Sequence, residues 1–282
     1  MSNSFNSCPS PRKDSLTASM SSTTPPPAIT VQETTVGYGD STAVRGLSVE
    51  FPRGQFTCII GPNGCGKSTL LRALARVLTT TAGTICLDGK EIGSFDRKEL
   101  SRCIALMAQD ASAPEHLTVT ELVARGRFAH QGLLGQRSSQ DWDKVSQALS
   151  TVELGELADR RLSELSGGQR QRAWLAMALA QDTPVLLLDE PTTFLDLGYQ
   201  HELLTLIASL SANEHKTVIA VVHDLQQAVR FADHLVALKD GQLVAHGKPT
   251  DVVTAKLIKS LYGLSAEVTR AGARRHTVIV PD

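Results

Sequence analysis

Gly61-Pro62-Asn63-Gly64-Cys65-Gly66-Lys67-Ser68-Thr69 has the G-x-x-x-x-G-K-[ST] spacing of a phosphate-binding loop. Its glycines let the backbone fold around an anion with successive N–H groups turned inward. The helix that follows adds free N–H groups and the positive end of its dipole. Lys67 is expected to reach the β- and γ-phosphates and Ser68 to ligate Mg²⁺. From average residue usage, the pattern arises by chance in roughly one chain of this length in a hundred. An apolar, β-rich run at residues 56–60 precedes it and a helical run at residues 70–78 follows it. That strand–loop–helix context is what the motif requires, and it predicts a nucleoside triphosphate as ligand.

A second constellation is Val185-Leu186-Leu187-Leu188-Asp189-Glu190-Pro191, an apolar run ending in two carboxylates. A buried strand would deliver Asp189 to the carboxyl edge of a sheet, where Mg²⁺ can be held. Glu190, one residue on, is placed to polarise an attacking water. Alone this pattern is weak, since strands often end in acidic turns; beside the phosphate loop it is strong. Between the two lies Leu165-Ser166-Gly167-Gly168-Gln169, opening a helix. Ser166 is a good N-cap, and Gly167 and Gly168 leave their N–H groups open to an anion.

The elements that must position these residues follow from periodicity and turn residues. Residues 1–28 are rich in Ser, Thr, Asn and Pro, lack an apolar signal core and read as a disordered tail. Strands are expected at 29–36, 44–51 and 56–60, then at 83–87 and 103–107, with a short helix near 96–101 between the last two. The stretch 111–165 reads as helical: Thr118-Val119-Thr120-Glu121 is a capping box, and a second helix is expected over 140–151. From Ser166 strands (185–188, 217–222, 234–238) alternate with helices (to 180, 199–210, 225–231), which implies a parallel sheet covered by helices. The end of the chain, 268–280, is expected to form a hairpin around Gly272.

At 282 residues, with 41% hydrophobic and 20% charged residues, the chain has the composition of a globular protein with a sizeable core. A formal net charge of -1 gives no electrostatic case for nucleic acid as a partner. No apolar run approaches the ~20 residues that span a bilayer, so a role at a membrane would need another chain to cross it. The five cysteines lack C-x-x-C spacing, which argues against a metal cluster, and their odd number suits a reducing cytosol. Cys65, inside the phosphate loop at a helix start, is in a setting that can lower a thiol pKa and make it alkylatable; a small tolerated side chain is the favoured reading.

Leu-Ser-Gly-Gly-Gln arises by chance in fewer than about one chain in a thousand. With it, the chain resembles the nucleotide-binding subunit of an ATP-binding-cassette (ABC) transporter from about residue 29 to about residue 253. The resemblance implies an α/β fold: a P-loop ATPase with a parallel-sheet RecA-like core, an antiparallel β subdomain and a helical subdomain. It divides the chain into the tail 1–28, a first core part 29–110, the helical subdomain 111–165, a second core part 166–253 and a C-terminal extension 254–282. It implies ATP and Mg²⁺ as cofactors. Tyr38, in Val36-Gly37-Tyr38-Gly39, matches the aromatic residue that stacks on adenine. Gln109 matches the Q-loop glutamine, which meets Mg²⁺ and water and leads into the surface touching the membrane partner. Asp196 matches the D-loop aspartate, and His223 the switch histidine that contacts the γ-phosphate. The implied catalytic set is Glu190, His223, Gln109 and Lys67, and the implied metal set is Ser68, Gln109 and Asp189. The nucleotide would be bound by residues 61–69 and Tyr38, with Ser166, Gly167, Gly168, Gln169 and Asp196 facing it across a head-to-tail homodimer.

A single cassette without membrane spans resembles the separate-subunit importers of bacteria, peripheral on the cytoplasmic face of the inner membrane. Such importers also contain integral-membrane permease subunits and, indirectly, a periplasmic or lipid-anchored substrate-binding protein. Arg125-Gly126-Arg127-Phe128-Ala129-His130-Gln131 is similar to a segment of iron-chelate importers, although Ala129 stands where they typically have Pro. Thr192-Thr193-Phe194-Leu195-Asp196-Leu197 resembles their D-loop. Ferric siderophore uptake is therefore the expected function. The alternatives are cobalamin or haem import, an iron–sulfur assembly ATPase, or an exporter subunit.

Overall fold

The computed structural model describes residues 25–109, 112–131, 136–193, 195–271 and 276–281. The expected tail up to residue 24 and Gly272 lie outside them, as does Phe194. The first sheet is antiparallel, in the order β2-β1-β4-β5, from β1 (Ile29–Tyr38), β2 (Ser41–Phe51), β4 (Ala82–Leu87) and β5 (Lys90–Glu91). The second is six-stranded. Its strands are β3 (Phe56–Ile60), β6 (Ile104–Met107), β7 (Val185–Asp189), β8 (Thr217–Val221), β9 (His234–Lys239) and β10 (Gln242–Gly247), in the order β10-β9-β3-β8-β7-β6.

Five strands of the second sheet are mutually parallel, and β10 closes one edge antiparallel to β9. The sheet is thus mixed rather than purely parallel. The central strands are buried on both faces, which is why β3, β7 and β8 read as continuous apolar runs. Alternate residues serve two cores. Ile59, Leu187, Ile219 and Val236 face α1 (Lys67–Leu74) and the antiparallel sheet. Cys58, Leu186, Leu188, Ala220 and Ala237 face the remaining helices.

Those helices are led by α5 (Gly167–Ala180) and α6 (Leu197–Glu214), with α7 (Leu225–Phe231) beside them. A short α2 (Arg97–Leu100) precedes β6. The helical subdomain is built from α3 (Val119–Ala124), a 3-10 turn over Arg125–His130 and α4 (Ser139–Thr151). Thr118 caps α3 through the expected box, its hydroxyl accepting from the Glu121 amide at 3.1 Å while Glu121 accepts from the Thr118 amide at 2.8 Å. After β10 the chain forms α8 (Pro249–Val252), α9 (Ala255–Tyr262) and a hairpin of β11 (Ala266–Ala271) and β12 (His276–Pro281). No helix of the described residues is long and apolar enough to cross a membrane.

Candidate functional site

Four neighbouring parallel strands, β3, β8, β7 and β6, bring their carboxyl ends to one edge of the sheet. The residues that follow them meet there: Asn63, Gly64, Gly66, Lys67, Ser68, Thr69, Gln109, Glu190 and His223 line one cleft of ≈ 370 Å³. Crevices outside the carboxyl ends of parallel strands are where such folds bind ligands.

The loop after β3 is shaped by its glycines. Gly61, Gly64 and Gly66 have φ of 147°, 76° and 98°, a region costly to side chains. A Cβ on Gly61 would lie 2.1 Å from the Leu238 carbonyl oxygen, and one on Gly66 2.5 Å from that of Ala43. α1 starts at Lys67 with no side-chain cap on Gly66, so its first amides are left for a ligand. The Lys67 ammonium is folded over the loop, donating to the Gly61 and Pro62 carbonyls at 2.9 Å each. Cys65 is buried at 4% exposure. Burial pushes its thiol pKa up, against the opposing charge of Lys67 and backbone hydrogen bonds. Burial rather than activation thus dominates at Cys65, which favours the small tolerated side chain over the activated thiol.

Glu190 is the hub of the opposite wall. It has φ 54°, an unusual value for a non-glycine residue. Its carboxylate accepts from the Gln109 side-chain amide at 2.5 Å and the Thr193 hydroxyl at 3.1 Å, and meets His223 Nε2 at 2.5 Å. Three side chains from three different loops thus fix one carboxylate. Asp189, at 1% exposure, ends β7 beneath it, with the Arg72 guanidinium 3.8 Å away. Arg72 also donates to the Tyr38 hydroxyl at 3.3 Å, which ties half-exposed Tyr38 to α1.

The remaining candidates lie apart from this cleft. Ser166 caps α5, its hydroxyl accepting from the Gln169 amide at 3.3 Å while Gln169 accepts from the Ser166 amide at 3.0 Å. Gly168 packs under the Tyr199 ring, and Asp196 caps α6 by accepting from the Tyr199 amide at 3.0 Å. Neither Ser166–Gln169 nor Asp196 lines the cleft of its own chain. Sequence reasoning missed Thr193, Arg72 and Gln171, whose side-chain amide donates to the Pro191 carbonyl at 2.7 Å and ties α5 to the turn after Glu190. Nothing in their spacing marks them: Arg72 and Gln171 act through contacts distant in sequence, and Thr193, three residues after Glu190, belongs to no recognisable pattern of its own.

The ABC transporter family model matches residues 44–193. The ferric enterobactin transport ATP-binding protein FepC of Escherichia coli (strain K12) is 48% identical over 250 residues, covering 89% of this chain and 92% of that protein. The iron(3+)-hydroxamate import ATP-binding protein FhuC of Bacillus subtilis (strain 168) is 42% identical over 241 residues, covering 86% and 90%. Among solved structures, the dimeric bacterial ABC transporter cassette MJ0796 superposes with a TM-score of 0.69 at 29% identity, covering 78% of this chain and 98% of that one. The cleft at the strand ends and these matches along nearly the whole described chain lead to one conclusion: the chain belongs to the ABC transporter family, as one of its ATP-hydrolysing subunits.

Proposed function

We propose that this chain powers the import of a ferric siderophore, binding and hydrolysing ATP in the cleft at the sheet edge. The observation that carries the catalytic part is the fixed carboxylate of Glu190, facing Lys67 and Ser68 across the cleft. A triphosphate seated on the amides of residues 61–69 would draw Lys67 off its carbonyl partners and onto the β- and γ-phosphates. Glu190 then serves as general base for the attacking water, His223 contacts the γ-phosphate and Gln109 orients the water. Tyr38 stacks on adenine. Ser68, Gln109 and Asp189 offer only oxygen donors, a set that fits a hard cation such as Mg²⁺ sharing its shell with phosphate oxygens. When bound, Mg²⁺ would neutralise charge developing on the phosphoryl oxygens.

Ser166–Gln169 and Asp196 sit outside their own chain's cleft, so they suit a nucleotide bound by a second copy packed head to tail. A helix N-terminus supplied from that side would stabilise transition-state charge. ATP then favours the closed dimer by differential affinity, and hydrolysis removes that preference. The proposed division is a tail at 1–28, core parts 29–110 and 166–253, the helical subdomain 111–165 and an extension 254–282. Permease subunits dock near the Gln109 loop and the helical subdomain on the cytoplasmic face of the membrane. A substrate-binding protein delivers cargo from the other side. The cargo assignment draws on the relatives named above, one a ferric enterobactin transport and the other an iron(3+)-hydroxamate import ATP-binding protein. Uptake of radiolabelled ferric chelates, haem and cobalamin in cells carrying wild-type or Glu190→Gln protein tests it. Selective loss of one ferric chelate is expected; unchanged uptake of all three would overturn the cargo while leaving the ATPase in place.

A further inference from the structure

Among the described residues, the chain beyond Val253 lines no part of the cleft, yet it reaches two elements that build it. α9 buries Leu257, Ile258 and Leu261 in the core shared with the main sheet, and Lys239 donates to the Ser260 carbonyl at 2.6 Å. Gly263, at φ 72°, ends the helix and leaves Tyr262 pointing inward. The Tyr262 hydroxyl is buried and meets no hydrogen-bond partner in good geometry. Burial raises its pKa first; the other groups acting on it are the Cys65 thiol, the Gly61 amide and the Asp224 carboxylate. Gly61 and Cys65 belong to the phosphate loop, and Asp224 directly follows His223.

The chain then turns through β11 and returns as β12, paired in unbroken register from Ala266↔Pro281 to Ala271↔His276. From β12 the Ile279 amide donates to the Gln226 side-chain carbonyl at 3.0 Å. Gln226 is the second residue of α7 and lies three positions after His223. α7 has seven residues, too few to hold its shape without tertiary support. Its start is fixed by Asp224, which accepts from the Gln226 and Gln227 amides at 2.7 and 3.1 Å. Its other flank is tied to α6 by Gln227, which donates to Gln200 at 2.5 Å.

We propose that α9 and the β11–β12 pair form a strap that holds α7 in register with the phosphate loop, with Gln226 as its positioning residue. The strap acts on catalysis through the placement of His223, and so rests on the reading of His223 as the γ-phosphate contact. Displacements of about 1 Å in a positioned group can cost as much as 10²-fold in rate, so an anchor on so short a helix matters to turnover more than to ATP affinity.

The test is steady-state ATP hydrolysis by the full chain carrying Gln226→Leu, Gln226→Glu or His223→Ala, with melting temperatures measured alongside. Leucine removes the acceptor for the Ile279 amide. Glutamate keeps an oxygen there and suits the first turn of a helix. Gln226→Leu is expected to lower kcat about fivefold, the rate equivalent of one hydrogen bond of ordinary strength. KM for ATP should stay within about twofold, as for an interaction used in turnover rather than in binding. Gln226→Glu should restore kcat. Wild-type kcat in Gln226→Leu, or a loss that follows melting temperature and is not rescued by glutamate, overturns the strap. If His223→Ala is inactive while Gln226→Leu is normal, the strap alone falls. If His223→Ala turns over normally, the reading of His223 falls with it.

Discussion

Glu190 holds a backbone conformation that costs a non-glycine residue free energy, and the cost is offset by what its side chain reaches. Gln109, Thr193 and His223 converge on its carboxylate from separate loops, and only this backbone turn after Asp189 puts it among them. The same logic governs the loop opposite. Gly66 has φ 98°, and a Cβ there would press on the Ala43 carbonyl, which is backbone and cannot swing away. Gly66→Ala is therefore expected to weaken ATP binding by about 10–100-fold, the equivalent of the ~1–3 kcal/mol that such strain costs. Titration with a fluorescent ATP analogue measures this, and near wild-type affinity would contradict it. At this scale the sequence was informative where chemistry is local. The loop's glycines, Lys67 and the paired carboxylates are legible from spacing. Arg72 is not, because its partners Tyr38 and Asp189 are supplied by tertiary folding, and Thr193 is not, because its local contact to Glu190 follows from the turn and from no spacing rule. The thiol of Cys65 was legible in position but not in burial, which decides its pKa.

At the level of elements, a buried ion pair braces the helical subdomain internally, and contacts to the end of α5 tie it to the core. Arg127 and Asp141 meet at 2.8 Å with both side chains buried. Arg127 also donates to the Ala180 carbonyl at 2.8 Å, and His130 Nε2 donates to that of Gln181 at 2.8 Å. These contacts satisfy carbonyls that the end of α5 would otherwise leave open. The Arg125–Gln131 segment, read in the sequence as a subfamily marker, thus joins α5 to the helical subdomain. Asp141→Ala would strand a buried guanidinium and should destabilise the protein by about 3–5 kcal/mol. Burial alone would raise the Asp141 pKa, but the Ser138 amide and Arg127 override it and hold it at about 2. Its stabilising contribution is therefore complete above the ordinary value of 3.8 and is lost as pH falls from there toward 2. Denaturant unfolding of wild type and variant should show a stability gap that is full at pH 6 and narrows below pH 4. A constant gap would contradict the assignment. Strands with continuous apolar runs were legible, as were helices with capping boxes. The edge strand β10 was not: Gln242, Val244 and His246 are exposed and the intervening residues only half-buried, so it carries no strong apolar signal. α9 was missed as well: Leu257, Ile258 and Leu261 form an apolar face at helical spacing, but over only eight residues.

Across the whole molecule, one chain brings its phosphate loop, the proposed base Glu190 and the proposed switch residue His223 to one cleft. Ser166–Gln169 and Asp196 lie outside that cleft, so under the proposed reading the complete catalytic unit includes a second cassette. The helix-covered parallel sheet was readable from alternating strands and helices, but its strand order and its antiparallel edge were not. The outward placement of Ser166–Gln169 was implied only by resemblance, since nothing in the spacing says which cleft a helix N-terminus serves. The most direct test of the account is ATP binding, ATP-dependent dimerisation and turnover of Glu190→Gln, measured beside the wild-type chain. The account predicts that the variant binds ATP, stays dimeric in its presence and loses about 10²–10⁴-fold in turnover, as expected for removal of a positioned general base. Wild-type turnover, or a variant that remains monomeric with ATP bound, would contradict it.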